Sequence, residues 1–417
     1  MINRRVVITG IGGVCALGGD MPSIWESMLA GKSGCDKISV FPTDNFKTQF
    51  ACEVRDFAPV ALDRKVMQRT DRTIQFALAS AYEAFGDSKL DLEQVDKDRF
   101  GCIWGTGIGG LLTFEEGIID YGVNYRLNPH FSSIFMPKLL TNMTSAQLTI
   151  TFGLHGPSFT TTSACASSGH AVVCAAMQIA TGQADLMLTG GSEAAIAESG
   201  IGSFNAMHAL STRNDSPATA SRPFSKSRDG FVLGEGGAAL ILEEYEHAVR
   251  RGAKIYAEVA GFGMTSDAYH ITAPDPTGEG ARKVMLQALS SAGLKAEDID
   301  YINTHGTSTP LGDIAEVKAI EQVFGEHLYD MNLSSTKSMT GHLLGGAGAL
   351  EAAVTALSVE RDVVPPTINH EEGDEDPAFD LRIDFTFNRA KQREVRAAMS
   401  NSFGFGGHNV CLVLKKL

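Results

Sequence analysis

Short apolar runs alternate with longer helical stretches along the whole chain, and the alternation occurs twice over. Residues 6–9, 100–104, 186–189, 238–242, 255–260, 301–303 and 410–414 are β-branched or apolar runs that end at glycine or a polar residue, the pattern of short strands. Residues 71–85, 166–181, 280–292, 314–324 and 347–359 have the length and periodicity of helices. This alternation predicts an α/β fold. The run Arg5-Val6-Val7-Ile8-Thr9-Gly10-Ile11-Gly12 is echoed by Tyr256-Ala257-Glu258-Val259-Ala260-Gly261-Phe262-Gly263. In each half a helix of small residues follows a polar turn, after Cys165 in one and after His342 in the other, which suggests an internal duplication. A join near Gly252 gives two units, residues 1–252 and 253–417. No Pro- or Ser-rich linker marks it, so the two are expected to share a core.

At 417 residues the chain is long enough for a large core. A net charge of −14 argues against a general binder of nucleic acid or anionic membrane, while leaving room for a local basic patch. The seven cysteines are scattered, with no CxxC, so they give no disulfide framework and no zinc site and suit a reducing cytoplasm. No apolar run reaches the roughly 18 residues of a membrane-spanning helix. Met1-Ile2-Asn3 leads directly into β-like residues, which predicts no cleavable signal or transit segment.

Two glycine-rich loops invite a nucleotide and do not fit one. Gly105-Thr106-Gly107-Ile108-Gly109-Gly110 follows a strand and matches GxGxxG. A dinucleotide site also needs a second strand ending in an acid about 20 residues on, and here residues 111–117 lead into loop-like residues 121–130. Gly31-Lys32-Ser33 lacks the upstream glycine of a phosphate loop, that position being Glu26.

Cys165 sits in Thr162-Ser163-Ala164-Cys165-Ala166-Ser167-Ser168-Gly169, between a Thr-rich apolar run and a small-residue helix. A sharp strand-to-helix turn there would put its sulfur at a helix N-terminus, where unpaired N–H groups and the helix dipole stabilise a thiolate. Alone, such a cysteine is more often a small buried hydrophobe. Far downstream, His305 ends a β-like run in Asn303-Thr304-His305-Gly306-Thr307-Ser308-Thr309, and His342 closes Lys337-Ser338-Met339-Thr340-Gly341-His342 before a helix. One cysteine and two histidines at strand ends and helix starts fit nucleophilic acyl chemistry.

These stretches resemble the β-ketoacyl-acyl-carrier-protein synthases of the elongating type, close to synthase II of bacterial fatty acid synthesis. The matching segments are SACASS around Cys165, RPFSKSRDGFVLGEG at 222–236, DAYHITAP at 267–274, THGTSTPLGD at 304–313, SSTKSMTGHLLG at 334–345 and NSFGFGGHN at 401–409. They span nearly the whole chain in the family's order. The resemblance implies a thiolase-like fold, with two similar halves, each a mixed five-stranded sheet, in helix–sheet–helix–sheet–helix layers. It implies decarboxylative condensation, with Cys165 carrying the acyl group and His305 and His342 donating hydrogen bonds to the enolate. The backbone N–H groups of Cys165 and Phe403 would hold the oxyanion, and Phe403 would gate the site. Lys337 would lie buried near Glu351. Thr307 and Thr309 would bind the pantetheine arm, and Ile108 and Phe135 would shape the acyl pocket. His408 is expected to be a supporting or structural residue.

The partner implied is an acyl-carrier protein, which brings the phosphopantetheine. The resemblance implies no metal or organic cofactor beyond that. Arg64, Lys65, Arg69 and Arg126 are the expected docking residues, and their other reading is a solvated face. The apolar segment Phe131-Ser132-Ser133-Ile134-Phe135-Met136-Pro137 points to a homodimer. His342, where sister families carry asparagine, points to the carrier-dependent elongating group. Cys411 lies within a strand and is expected to be core, not the second cysteine of a thiolase. A ketosynthase of a type II polyketide or aryl-polyene pathway would share every catalytic residue. A non-catalytic scaffold subunit is the reading from another class, and the intact Cys165, His305, His342 and Lys337 argue against it.

Overall fold

The structure is a computed structural model that describes residues 4–59, 61–126, 128 and 130–417. Met1, Ile2 and Asn3, read as the approach to the first strand, and Leu127 and Pro129 of the expected loop 121–130, lie outside the described residues. The first half contributes β1 (Val6–Cys15), β2 (Phe100–Gly105), β3 (Ser158–Thr161), β4 (Leu186–Glu193) and β5 (Gly236–Glu244). The second contributes β6 (Ala257–Ser266), β7 (Tyr301–Asn303), β8 (Asn332–Ser334), β9 (Ala397–Gly404) and β10 (His408–Lys415). They join in a 10-stranded sheet of order β8-β7-β9-β10-β6-β1-β5-β4-β2-β3.

Read outward from the middle, each half runs first, fifth, fourth, second, third. The directions agree as well. β5 is antiparallel to β1 and β4, and β2 is parallel to β4 and β3; β10 is antiparallel to β6 and β9, and β7 is parallel to β9 and β8. The faint echo in sequence is thus a repeat of the whole topology. β1 and β6 pair at only Val7↔Glu258 and Ile8↔Ala257, so the seam between halves is narrow.

Five helices complete the layers: α1 (Arg72–Ser88), α2 (Ser167–Ala180), α3 (Glu279–Ala292), α4 (Pro310–Phe324) and α5 (Ala347–Arg361). α2 and α5 pack on each other and on strands of both halves. Their small residues, among them Ala175, Ala349, Ala352 and Ala356, let the strands of both halves and two helices share one core with Ile8, Leu240, Val410 and Leu412. α1 covers the outer face of the first half, with Ile74 and Leu78 against Trp104 and Ile241. α3 and α4 cover the second, with Val284 and Ile320 against Ile302 and Val413. Both sheet faces are therefore buried, which is why the strands read as continuous apolar runs.

Three local expectations are corrected. β1 continues through Gly10, Gly12 and Gly13 because α1 lies directly on it: a Cβ at Gly12 would sit 2.1 Å from the Ser80 carbonyl oxygen. Residues 121–125, expected as loop, continue the helix Leu111–Asp120 as a wider turn. And although the cysteines give no disulfide framework in sequence, the structure joins Cys35 to Cys52. The short ladder pairing Asp36 with Ala51 and Lys37 with Phe50 brings them face to face, with Cα atoms 4.1 Å apart.

Candidate active site

Cys165 follows β3 on a tight turn into α2. Ala164 takes a left-handed φ of 50°, and Ser167 Oγ pins the turn by accepting from Ser163 N–H (2.8 Å) and donating to Ala164 O (2.7 Å). The expected strand-to-helix turn is therefore present, with the sulfur two residues before the first helical position. Its electrostatics differ from the expectation. Burial dominates and pushes the thiol up to about 12, against a lowering influence of Lys337 and of the Phe405 backbone N–H. The resting group is a thiol, because desolvation outweighs the helix end.

His305 stands just beyond β7. Its backbone N–H and that of Gly306 both donate to the buried Glu316 carboxylate, each at 2.8 Å, and Asn401 Nδ2 donates to the same group at 3.2 Å. His342 is held through its backbone, which donates to Val232 O (2.7 Å) and accepts from Gly234 N–H (3.0 Å). The two imidazoles meet edge to face with centroids 5.4 Å apart. Burial, with the nearby Lys337 charge, holds both rings well below the ordinary histidine pKa, so both are neutral at pH 7 and each carries one N–H. Among the described residues, neither ring nitrogen of His342 has a hydrogen-bond partner, and neither has His305 Nδ1. Buried polar atoms left open at a cavity are what an incoming substrate oxygen would use.

Lys337, 1% exposed, donates to Glu351 on α5, 3% exposed. Burial pushes the Glu351 carboxyl up to about 7 despite that partner. Cys165, His305 and His342 all line one cavity of about 560 Å³, together with Phe403, Thr307, Thr309 and Ile108. Thr307 and Thr309 hydroxyls lie 3.0 Å apart at its side.

Phe403 shares this cavity, whereas Phe135 and the basic residues lie away from it. Phe403 lies in β9, paired with Asn409, and its ring stands 5.7 Å from that of His305. The backbone N–H groups that work to lower the Cys165 pKa are its own and that of Phe405, two residues beyond Phe403, where the chain leaves the strand and turns. Phe135 sits half-buried on the short helix Phe135–Leu139, packed against Gly117 and Phe131, and does not line the cavity of its own chain. Arg64, Lys65, Arg69 and Arg126 are exposed and line no part of the cavity. His408 opens β10 with its ring 6.5 Å from that of His170, which accepts from or donates to Ser163 Oγ at 2.7 Å. Cys411 is fully buried in β10, as a core residue would be.

Sequence reading missed three residues at the site. Phe231 lies edge-on to His342 at 5.4 Å, and its signal was the apolar side chain inside the 222–236 segment. Phe405 had only a glycine-rich context. Glu193 closes the apolar run of β4 and takes the N–H groups of Gly107, Ile108 and Gly109. That explains why the GxGxxG loop is no phosphate cradle: the donors a phosphate would need already serve an internal carboxylate.

Two family profiles match, the N-terminal domain of beta-ketoacyl synthases over residues 3–248 and their C-terminal domain over residues 256–371. The chain is 47% identical to a 3-oxoacyl-[acyl-carrier-protein] synthase 2 of Coxiella burnetii, over 100% of both chains. It is 46% identical to one of Synechocystis, over 99% of this chain and 98% of that one. Among solved structures, a beta-ketoacyl synthase from Burkholderia phymatum superposes with a TM-score of 0.90 at 36% identity, covering 99% of this chain and 100% of that one. A ketosynthase of a type II polyketide system, solved with its acyl-carrier protein, superposes with a TM-score of 0.90 at 32% identity over 100% of both. The layered, duplicated architecture is thiolase-like.

Proposed function

We propose, from the premise that this chain belongs to the beta-ketoacyl synthase family, that it is a 3-oxoacyl-[acyl-carrier-protein] synthase 2, extending fatty acyl chains by two carbons. The observation that carries the reading is the convergence of one cysteine and two neutral histidines on a single cavity. Identities of 47% and 46% to synthases of that name, against 32% to the polyketide ketosynthase, favour fatty acyl substrates over polyketides.

The acyl group moves from the carrier's pantetheine sulfur to Cys165, and the thiol proton ends on the departing pantetheine sulfur. The tetrahedral oxyanion takes the N–H groups of Cys165 and Phe405, the latter replacing Phe403 in this role. Malonyl-carrier protein then loses its terminal carboxylate as carbon dioxide. The electron pair of the broken C–C bond becomes an enolate, whose oxygen accepts from the N–H groups of His305 and His342. The carbanion attacks the Cys165 thioester, and the sulfur leaves and regains a proton. No step calls on a cofactor of the enzyme's own, since the phosphopantetheine belongs to the carrier. Lys337, paired with Glu351, tunes the charge felt by all three groups. Thr307 and Thr309 hold the pantetheine arm, Ile108 faces the acyl chain, and the nucleophile and the histidines divide between units 1–252 and 253–417.

The assembly is a homodimer. The support is an apolar surface around the segment that carries Phe135, where Phe131, Met136, Ile118, Ile119 and Val123 are exposed. In it Phe135 closes the partner's acyl pocket. A monomer by sedimentation at micromolar concentration would refute this. Among the described residues no helix is long and apolar enough to cross a membrane. The cytoplasm is the proposed location, supported by the free thiol that Cys165 needs as nucleophile, while the Cys35–Cys52 disulfide points the other way.

The decisive test is Cys165→Ala. It should abolish elongation of acyl-carrier protein while leaving malonyl decarboxylation measurable, and elongation by the variant would overturn the reading.

A further inference from the structure

Two backbone turns form part of the cavity wall beside Cys165. One follows β2 and carries Ile108; the other, Leu344–Gly346, follows His342 and carries Leu344. They come from opposite halves of the duplicated fold and meet backbone to backbone. A Cβ on Gly345 would sit 2.1 Å from Gly107 N, so no side chain fits between them.

One carboxylate holds both turns. Glu193, fully buried at the end of β4, accepts through Oε1 from Ile108 N–H (3.1 Å), Gly109 N–H (3.3 Å) and the Thr106 hydroxyl (3.1 Å). Through Oε2 it accepts from Gly107 N–H (2.7 Å) and Gly345 N–H (3.0 Å). Among the described residues no cation pairs with it. Burial pushes its pKa above the ordinary carboxylate value, and the four backbone N–H groups work against that rise. Each oxygen accepts two backbone N–H groups, a set of donors that favours the carboxylate over the acid and offsets the cost of burial.

We propose that Glu193 is a positioning residue that sets the range of acyl chains reaching Cys165, by clamping the Ile108 turn of one half to the Leu344 turn of the other. Its carboxylate acts as a staple of fixed length between two pieces of wall that meet backbone to backbone at Gly107 and Gly345. The inference rests on the condensing reading above, in which this cavity takes the acyl chain. The same charge acts on the Cys165 sulfur, raising its pKa against the lowering influence of Lys337, while the neutral His305 and His342 add no charge there.

The test uses Glu193→Gln, which keeps the shape and removes the charge, and Glu193→Asp, which keeps the charge and shortens the reach. In both, the ratio of kcat/KM for a long against a short acyl-carrier substrate should shift by about tenfold or more, because the wall is no longer fixed. Alkylation of Cys165 by iodoacetamide near pH 8 should quicken by about threefold or more in Glu193→Gln alone, an effect that loosened packing would not confine to the uncharged variant. A chain-length ratio within about twofold of the unsubstituted protein in either folded variant overturns the proposal. Should neither variant fold, hydrogen exchange on the unsubstituted protein decides. The amides of Gly107, Ile108, Gly109 and Gly345 should exchange as one protected set, and free exchange at Ile108 or Gly345 overturns it. Elongation by Cys165→Ala would bring down the condensing reading itself, so the two failures are read apart.

Discussion

Residues 162–166 and residues 335–346 do the same topological work in the two halves of the molecule. Each leaves the third strand of its half, β3 or β8, and enters a central helix, α2 or α5. The first is tight, strained at Ala164, and delivers one reactive atom. The second is long enough to hold a helical turn, Lys337–Thr340, and to bend back through Gly341 (φ 68°) and Leu344 (φ 47°). That extra length sends Lys337 inward to Glu351 and leaves His342 at the cavity. Duplication therefore fixes where the two turns meet, and loop length decides which chemistry each half contributes. The two halves act on the nucleophile with opposite charge, Glu193 of the first raising the Cys165 pKa and Lys337 of the second lowering it. Lys337, from the second half, lowers the pKa of Cys165 in the first and of both histidines in its own.

A division of labour between the halves predicts a division of mutant phenotypes. His305→Ala and His342→Ala should each slow malonyl decarboxylation by about 10²–10³-fold, since each removes a donor to charge that develops only in the enolate. Acyl transfer to Cys165, in the other half, should suffer far less. Carbon dioxide release and acyl-enzyme formation can be followed separately. Equal loss in both steps would break the comparison.

Lys337→Met tests the charge that the second half supplies. It leaves the Glu351 carboxyl buried without its partner, which costs about 3–5 kcal/mol of stability. Glu351 is already raised to about 7 in the folded protein, above its ordinary value of 4.5, and loss of Lys337 raises it further. A raised carboxyl contributes its stability at low pH, where it stays protonated in both states, and loses it as pH rises through the folded value. The variant should therefore be closest to the parent near pH 5 and furthest from it near pH 8, in denaturant midpoint. Cys165 alkylation should also slow, because the charge that lowers its pKa is gone. A stability gap that narrows with rising pH would refute the assignment.

The sequence exposed what is repeated and periodic more readily than what is brought together by turns. Strand cores such as 301–303 and helices such as 347–359 are visible because both sheet faces are buried and the apolar runs are unbroken. β9 was hidden because three consecutive residues of it, Ser400, Asn401 and Ser402, are polar and yet buried. Cys165, His305 and His342 stood out through motif context. Phe405 did not: Phe403 and Phe405 alternate along one glycine-rich stretch, and only the end of β9 decides which N–H turns to the sulfur. Glu193 was invisible for a related reason. Its partners are backbone N–H groups from residues 107–109 and 345, and no side-chain pattern marks such a contact in advance.

The smallest predicted effect concerns the surface and again sets one half against the other. In the first half, Arg64, Lys65 and Arg69 stand exposed on the helix Arg64–Arg69, and none forms an ion pair among the described residues. In the second half, Arg282 and Lys283 on α3 are both paired with Glu279, at 2.8 and 3.2 Å. A basic group already neutralised by a neighbour offers less attraction to an acidic carrier protein than an unpaired one. Charge reversal at Lys65 and Arg69 should therefore slow carrier association by about three- to tenfold at low salt, and reversal at Arg282 and Lys283 should hardly change it. Raising the salt until the screening length falls to a few ångströms should erase the difference, since exposed charges act over that length. The readout is kcat/KM for acyl-carrier protein against ionic strength, with kcat at saturating carrier as the control. Equal slowing from both pairs would mean that docking follows the overall charge of the molecule and not the free basic helix of its first half.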